Sequence, residues 1–141
     1  MARLSIFFLF FFFITGKKIL TSEIIFFVKN VNNNSGFIHV ALYNDPTMFP
    51  KGDGKLLGFK KKTSNVLEEG ILIKDLDMGR YAIAIFHDEN NNDKFDTFLG
   101  IPKEKFGFSK NAQVLLGPPK FSEASFFLSD NIKLKMEIEL K

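Results

Sequence analysis

The sequence predicts an all-β fold, an antiparallel β-sandwich of about seven strands with one long ordered loop. Three observations predict it. After position 22 the apolar residues recur with a period near two rather than about 3.6. Clusters of Asn, Asp, Gly and Pro interrupt these runs at short intervals, as turns do. No stretch beyond the N-terminal segment carries a capped helical pattern.

Taken in order, residues 1–22 form a separate object. Six of the 19 Phe (Phe7, Phe8, Phe10, Phe11, Phe12 and Phe13) fall in the first 16 residues. Arg3 supplies a short basic start, Leu4 to Ile14 an apolar run broken only by Ser5, and Thr15 to Ser22 a more polar stretch. This is the layout of a secretory signal peptide. As a helix the apolar run rises only about 16 Å, whereas a bilayer core needs about 20 residues. The chain is therefore expected to be exported, to the periplasm or outside the cell. A membrane would be met only through an uncleaved N-terminal segment.

The remainder, 23–141, has the length of a single domain at about 100–200 residues each. Strands are expected at 23–31, 37–43, 57–66, 70–74, 81–86, 124–128 and 133–141. Two of them read as core strands: Ile38, Val40 and Leu42 share one side, as do Tyr81, Ile83 and Ile85. The last alternates without a break, Leu134, Met136, Ile138 and Leu140 against charged neighbours, and reads as a half-buried surface strand.

Charge and cysteine exclude several function classes. Three basic residues, Arg3, Lys17 and Lys18, lie in 1–22, which hold no acid, so the other 16 basic residues balance the 16 acidic ones. A nucleic-acid partner loses its electrostatic support. The Lys60-Lys61-Lys62 run reads as a solvated face or a guarded strand edge. With no cysteine there is no disulfide framework, thiolate zinc site, iron–sulfur cluster or Cys nucleophile.

Between Phe86 and Ala124 lies a section too long for an ordinary connection. Phe95, Phe98, Ile101, Phe106, Phe108, Leu115, Leu116 and Phe121 are too many apolar groups for a disordered linker, so a folded loop packed by its own side chains is expected. Its start carries the candidate chemistry. Asp88, Asn90, Asn92 and Asp96 occupy the first, third, fifth and ninth positions of a calcium loop, and Lys94 would offer its backbone carbonyl. Calcium suits such a set because it is a hard cation that takes several oxygens at flexible geometry. The turn position that favours Gly is Asp93, and the last position is Leu99 rather than a bidentate acid, so Glu104 or Glu89 would complete the set. The same residues also fit an Asx-rich turn whose side chains bond their own backbone without a metal.

The two histidines raise catalysis. His39 sits inside a strand and reads as a sheet-face residue. His87 ends a core strand beside Asp88 and shares the loop with Ser109, so a small hydrolase using His87 with Asp88 or Glu104 is the alternative function. Against it, successive strand side chains point to opposite faces. The preferred reading is a binding module. His87, Phe98, Phe106, Phe108 and Ser109 would meet a small ligand, glycan, peptide or envelope component.

An ordered series of motifs runs along the mature chain: His87-Asp88-Glu89-Asn90, Asp96, Gly100-Ile101-Pro102-Lys103-Glu104, Gly107-Phe108-Ser109, Gly117-Pro118-Pro119-Lys120-Phe121, then Glu123-Ala124 and Phe126. Gly79 and Tyr81 ahead of the 82–86 run fit the same pattern. From about Gly36 to Leu140 the chain resembles the bacterial exported family known as domain of unknown function 2141. The resemblance implies an exported β-sandwich similar to prealbumin-like and carboxypeptidase-regulatory-like modules, with no established activity.

Overall fold

In the computed structural model residues 21–141 are described; the expected signal peptide, apart from Thr21 and Ser22, lies outside them. The chain runs β1 (Ser22–Lys29), β2 (Phe37–Tyr43), β3 (Leu57–Lys62), α1 (Thr63–Glu69), β4 (Ile71–Leu76), β5 (Gly79–Asp88), β6 (Thr97–Phe98), β7 (Ile101–Pro102), β8 (Phe106–Phe108), α2 (Phe121–Ala124), β9 (Phe126–Leu128) and β10 (Lys133–Glu139). It is mostly β. Each of the seven expected runs holds a strand, while β6, β7 and β8 are additional and lie in the expected loop.

Two open sheets carry the fold. One has the order β10-β1-β4, the other β3-β2-β5-β8 with β9 pairing the start of β5; β6 and β7 form a small hairpin. All pairings are antiparallel except one: β10 runs parallel to β1, from Glu23 opposite Lys133 to Lys29 opposite Glu139. A hairpin forces neighbours antiparallel, but these strands come from opposite ends of the described chain, and β10 crosses from the other sheet after β9. No turn constrains their direction.

Strand alternation selects the buried side chains. Ile24 and Phe26 of β1, Ile38 and Leu42 of β2, Ile83 of β5 and Ile138 of β10 join one core shared by both sheets. Each such side chain contributes about 1.5–3 kcal/mol by leaving water. The charged residues of β10 stay exposed, as its alternation requires. On the opposite face of β5 a second cluster gathers Tyr43, Phe49, Ala82, Phe108, Phe121 and Ala124. The 86–124 section is thus a folded structure that brings its own apolar residues to the outside of the five-stranded sheet. Phe49 stands at its centre, with edge contacts to Tyr43, Phe108 and Phe121 at ring separations of 5.2, 5.7 and 5.8 Å.

Two local expectations are corrected. The run expected as a strand over 57–66 ends at Lys62, and Thr63–Glu69 form a short helix. At seven residues this helix is too brief to show a periodic pattern, and tertiary contact supplies its stability by burying Thr63 and Val66. It stops at Gly70, whose N–H bonds the Val66 carbonyl at a φ of 72° that favours glycine. In the same way Phe121–Ala124 take one helical turn, so the expected 124–128 strand begins only at Phe126. The Lys60–Lys62 run does lie on an edge, since β3 pairs only with β2.

Candidate functional site

The outer face of the five-stranded sheet carries the candidate site. Pairing register aligns Gly58 of β3, Ala41 of β2 and Ala84 of β5 in one row across three strands. Three small residues side by side leave a trough where larger side chains would stand. Aromatic groups close its ends. His39 stacks on Phe86 at 4.4 Å with the rings 15° apart, and Phe95 bridges Phe86 and Phe106 at 5.3 and 5.5 Å. Tyr43 stands at the other end, and Phe108 lies beside Ala84 on the next strand. Ile101 and Pro102 form one wall, and Val114, Leu115 and Leu116 another. The groove measures about 950 Å³, near the upper limit of small-molecule sites at roughly 300–1,000 Å³. Its rim stays apolar and wet: Ile101 is 69% exposed, Leu115 83% and Leu116 fully exposed.

At the His39 end the apolar surface meets a polar cluster. Asp88 is fully buried. Its Oδ2 accepts the Asp93 N–H at 2.9 Å and lies 3.1 Å from His39 Nε2, while Oδ1 accepts the Asn92 N–H at 3.1 Å. Burial raises the Asp88 carboxyl, but the backbone N–H groups of Asp93 and Asn92, joined by His39, outweigh it and hold the group below the ordinary carboxylate value. Asp93 lies 3.4 Å from His39 and pairs with Lys60. Among the described residues His39, Asp88 and Asp93 form a trio close enough to share an ion.

The other expected calcium donors lie in a network of hydrogen bonds within the loop. Asn90 Oδ1 accepts the Asn92 N–H at 3.1 Å, and Asn92 Oδ1 accepts the Lys94 N–H at 2.8 Å. The side-chain amides of both asparagines donate to Asp96 Oδ2, at 2.8 and 2.9 Å. Glu104 Oε2 accepts the Asp96 N–H at 3.0 Å, and its Oε1 is buried without a partner. Burial pushes the Glu104 carboxyl up, the Asp96 N–H opposes this, and the charges of Asp88 and Asp96 add to the rise. Asp93 takes a φ of 60°, the conformation expected of a turn position. The loop thus contains successive Asx turns at Asn90 and Asn92, while Asp96 is held by their side-chain amides and Glu104 keeps one oxygen free of hydrogen bonds.

Residues 27–135 match the family described as "Uncharacterized protein conserved in bacteria (DUF2141)". The chain belongs to this family. No curated protein and no solved structure matches it. The matched span starts within β1 and ends within β10, so the DUF2141 unit includes both sheets and the groove.

Within this DUF2141 chain the expected ligand contacts divide. Phe106 and Phe108 line the groove, and Phe98 lies exposed on the β6–β7 hairpin beside it. His87 and Ser109 do not face it. His87 is fully buried and donates from Nε2 to the Ser35 carbonyl at 2.8 Å. Alternation along β5 sends it inward with Ile83 and Ile85, whereas Asp88 points outward. Ser109, also fully buried, accepts the Ile83 N–H at 2.9 Å and donates to the Ala124 carbonyl at 2.7 Å. It fastens the loop to β5. The hydrolase arrangement of His87, Asp88 and Ser109 is not assembled.

The histidine that does reach Asp88 is His39, expected only as a sheet-face residue. It is one, and the face is that of the site. Alternation alone puts His39 opposite Ile38 and Val40, but only the pairing of β2 with β5 brings it over Phe86 and Asp88. Gly36 permits that pairing, because its φ is 68° and a Cβ there would collide with the Asp88 carbonyl.

Proposed function

We propose that this chain is an exported ligand-binding module whose site is the groove on the outer face of the five-stranded sheet. One observation carries the reading: a large trough floored by Gly58, Ala41 and Ala84 opens between rims of exposed apolar side chains. Contiguous exposed apolar surface of this kind is uncommon on a protein that meets only water, and a bound partner would cover it. The lining favours an apolar ligand over a glycan, which would need more polar groups than the groove offers. Export rests on the Phe-rich leader, and a sandwich architecture on the single core that the two sheets share.

The test is titration of the full chain with the uncharged dye Nile red, read by its fluorescence. Saturable binding is expected, and Ala84→Phe, which fills the trough, should weaken it by about tenfold or more. Leu116→Ser, on the fully exposed rim, should weaken it less and leave the unfolding midpoint unchanged. An absence of saturable binding, or unaltered binding in both variants, would sink the proposal.

A second reading, a calcium-stabilised loop, is favoured by the buried and unpartnered Glu104 Oε1 beside Asp88 and Asp96. Thermal unfolding with EDTA and then with excess calcium tests it. A calcium-selective rise of several degrees that Glu104→Gln removes would carry this reading, and an unmoved midpoint would leave the loop as Asx turns alone.

A further inference from the structure

We infer that the ligand of the groove is a free single-chain amphipathic carboxylate, its apolar tail on the Gly58–Ala41–Ala84 floor and its anionic head at Lys55. The inference rests on the binding-module reading and adds the ligand's chemistry to it. The first support is the sign of the lining: its chargeable groups are His39, Lys55 and Lys60, with no Asp or Glu among them. Two of these already face carboxylates, His39 those of Asp88 and Asp93 and Lys60 that of Asp93, which leaves Lys55 as the cation where an anionic head gains a partner and a cationic head meets repulsion.

The second support is the difference between the two lysines. Lys60 is already neutralised by Asp93 and lies over the Phe37 ring at 4.5 Å. Lys55 donates to the Gly52 carbonyl at 2.6 Å, and among the described residues no carboxylate stands within ion-pair distance of it. Its stem runs across Gly58, where a Cβ would collide with Lys55 Cε and Cδ. The missing side chain at Gly58 therefore makes room for the Lys55 stem and seats a cation at the edge of the groove. A carboxylate arriving there would replace a neutral carbonyl acceptor with a charged one, the stronger partner for an ammonium.

The third support is geometry. Lys55 and Gly58 mark one side of the row that continues through Ala41 and Ala84 to Phe108, so a linear molecule laid along the row passes from the cation onto apolar surface. The exposed Leu115 and Leu116 flank that path.

Titrating the full chain with decanoate, decanol and decyltrimethylammonium, below micelle formation, separates the outcomes. Decanoate is expected to bind about tenfold more tightly than decanol, with the cation weakest. Lys55→Met, which keeps the stem and removes the charge, should bring decanoate to within about twofold of decanol and leave decanol unchanged. Equal binding of decanoate and decanol by the unaltered chain would overturn the inference and leave the apolar groove standing. Binding of none of the three, together with absence of the Nile red signal, would overturn both. Sedimentation with anionic vesicles in a chain that ignores monomeric decanoate would overturn it in favour of a membrane surface.

Discussion

The two faces of the five-stranded sheet are made by the same strands and differ in every other respect. Inward, β2 and β5 present Ile38, Val40, Leu42, Ile83 and Ile85, all large and all buried against the partner sheet. Outward, the same strands present His39, Ala41 and Ala84, with Gly58 of β3 beside them, and leave an open groove. Because the side-chain period of a strand is two, neighbouring residues serve opposite purposes without interfering. Ile83 and Ala84 are adjacent, yet one belongs to the core and the other to the site. The lesson is that the core and the candidate groove are built from adjacent residues, so substitutions one position apart probe them separately.

The sharpest way to break that separation is Ile83→Ala. It empties a fully buried position and should cost about 2–5 kcal/mol in denaturant unfolding, while Nile red binding to the folded fraction stays within about twofold. A large loss of binding in the folded protein would show that the faces are coupled. Next comes Ser109→Ala, which joins the loop to the sheet. The Ile83 N–H loses its partner inside the core, and a cost of about 1–3 kcal/mol is expected. If the stability loss came without any change in groove binding, the loop walls would be held by other contacts than this one.

The smallest effect concerns the polar end. Asp88 has a folded-state pKa below its unfolded value of about 3.9, so its stabilisation is complete above that pH and is lost as pH falls through the folded value. Acid titration of unfolding should show this limb in the unaltered chain and a shallower one in Asp88→Asn. An unchanged acid limb would mean that the backbone donors of Asn92 and Asp93 hold the neutral amide as well as the carboxylate.

Much of the fold was legible because alternation reports burial directly. The inward sets of β2, β5 and β10 could be read residue by residue, and the seven strand positions followed from turn residues between them. The short helix at Thr63–Glu69 was not legible, since about two turns with only Thr63 and Val66 buried show no period to detect. The site was legible only in its parts. Phe106 and Phe108 were picked out as apolar groups in a loop too long to be idle, while His87 and Ser109 were picked out for chemistry and turn out to be internal fasteners.

What the sequence determined by itself was the class of fold, the family, the packed character of the long loop and the faces on which individual strand residues lie. Local spacing suffices for those, because the pleat fixes the period and turn residues fix the breaks. What only the tertiary structure decided was register and company: Gly58 beside Ala41 beside Ala84, His39 over Phe86 and against Asp88, β10 parallel to β1. These are contacts between residues far apart in the chain. Pairing energy is nearly the same for many registers of a strand, and the one adopted is set by how all the side chains of the two sheets pack at once.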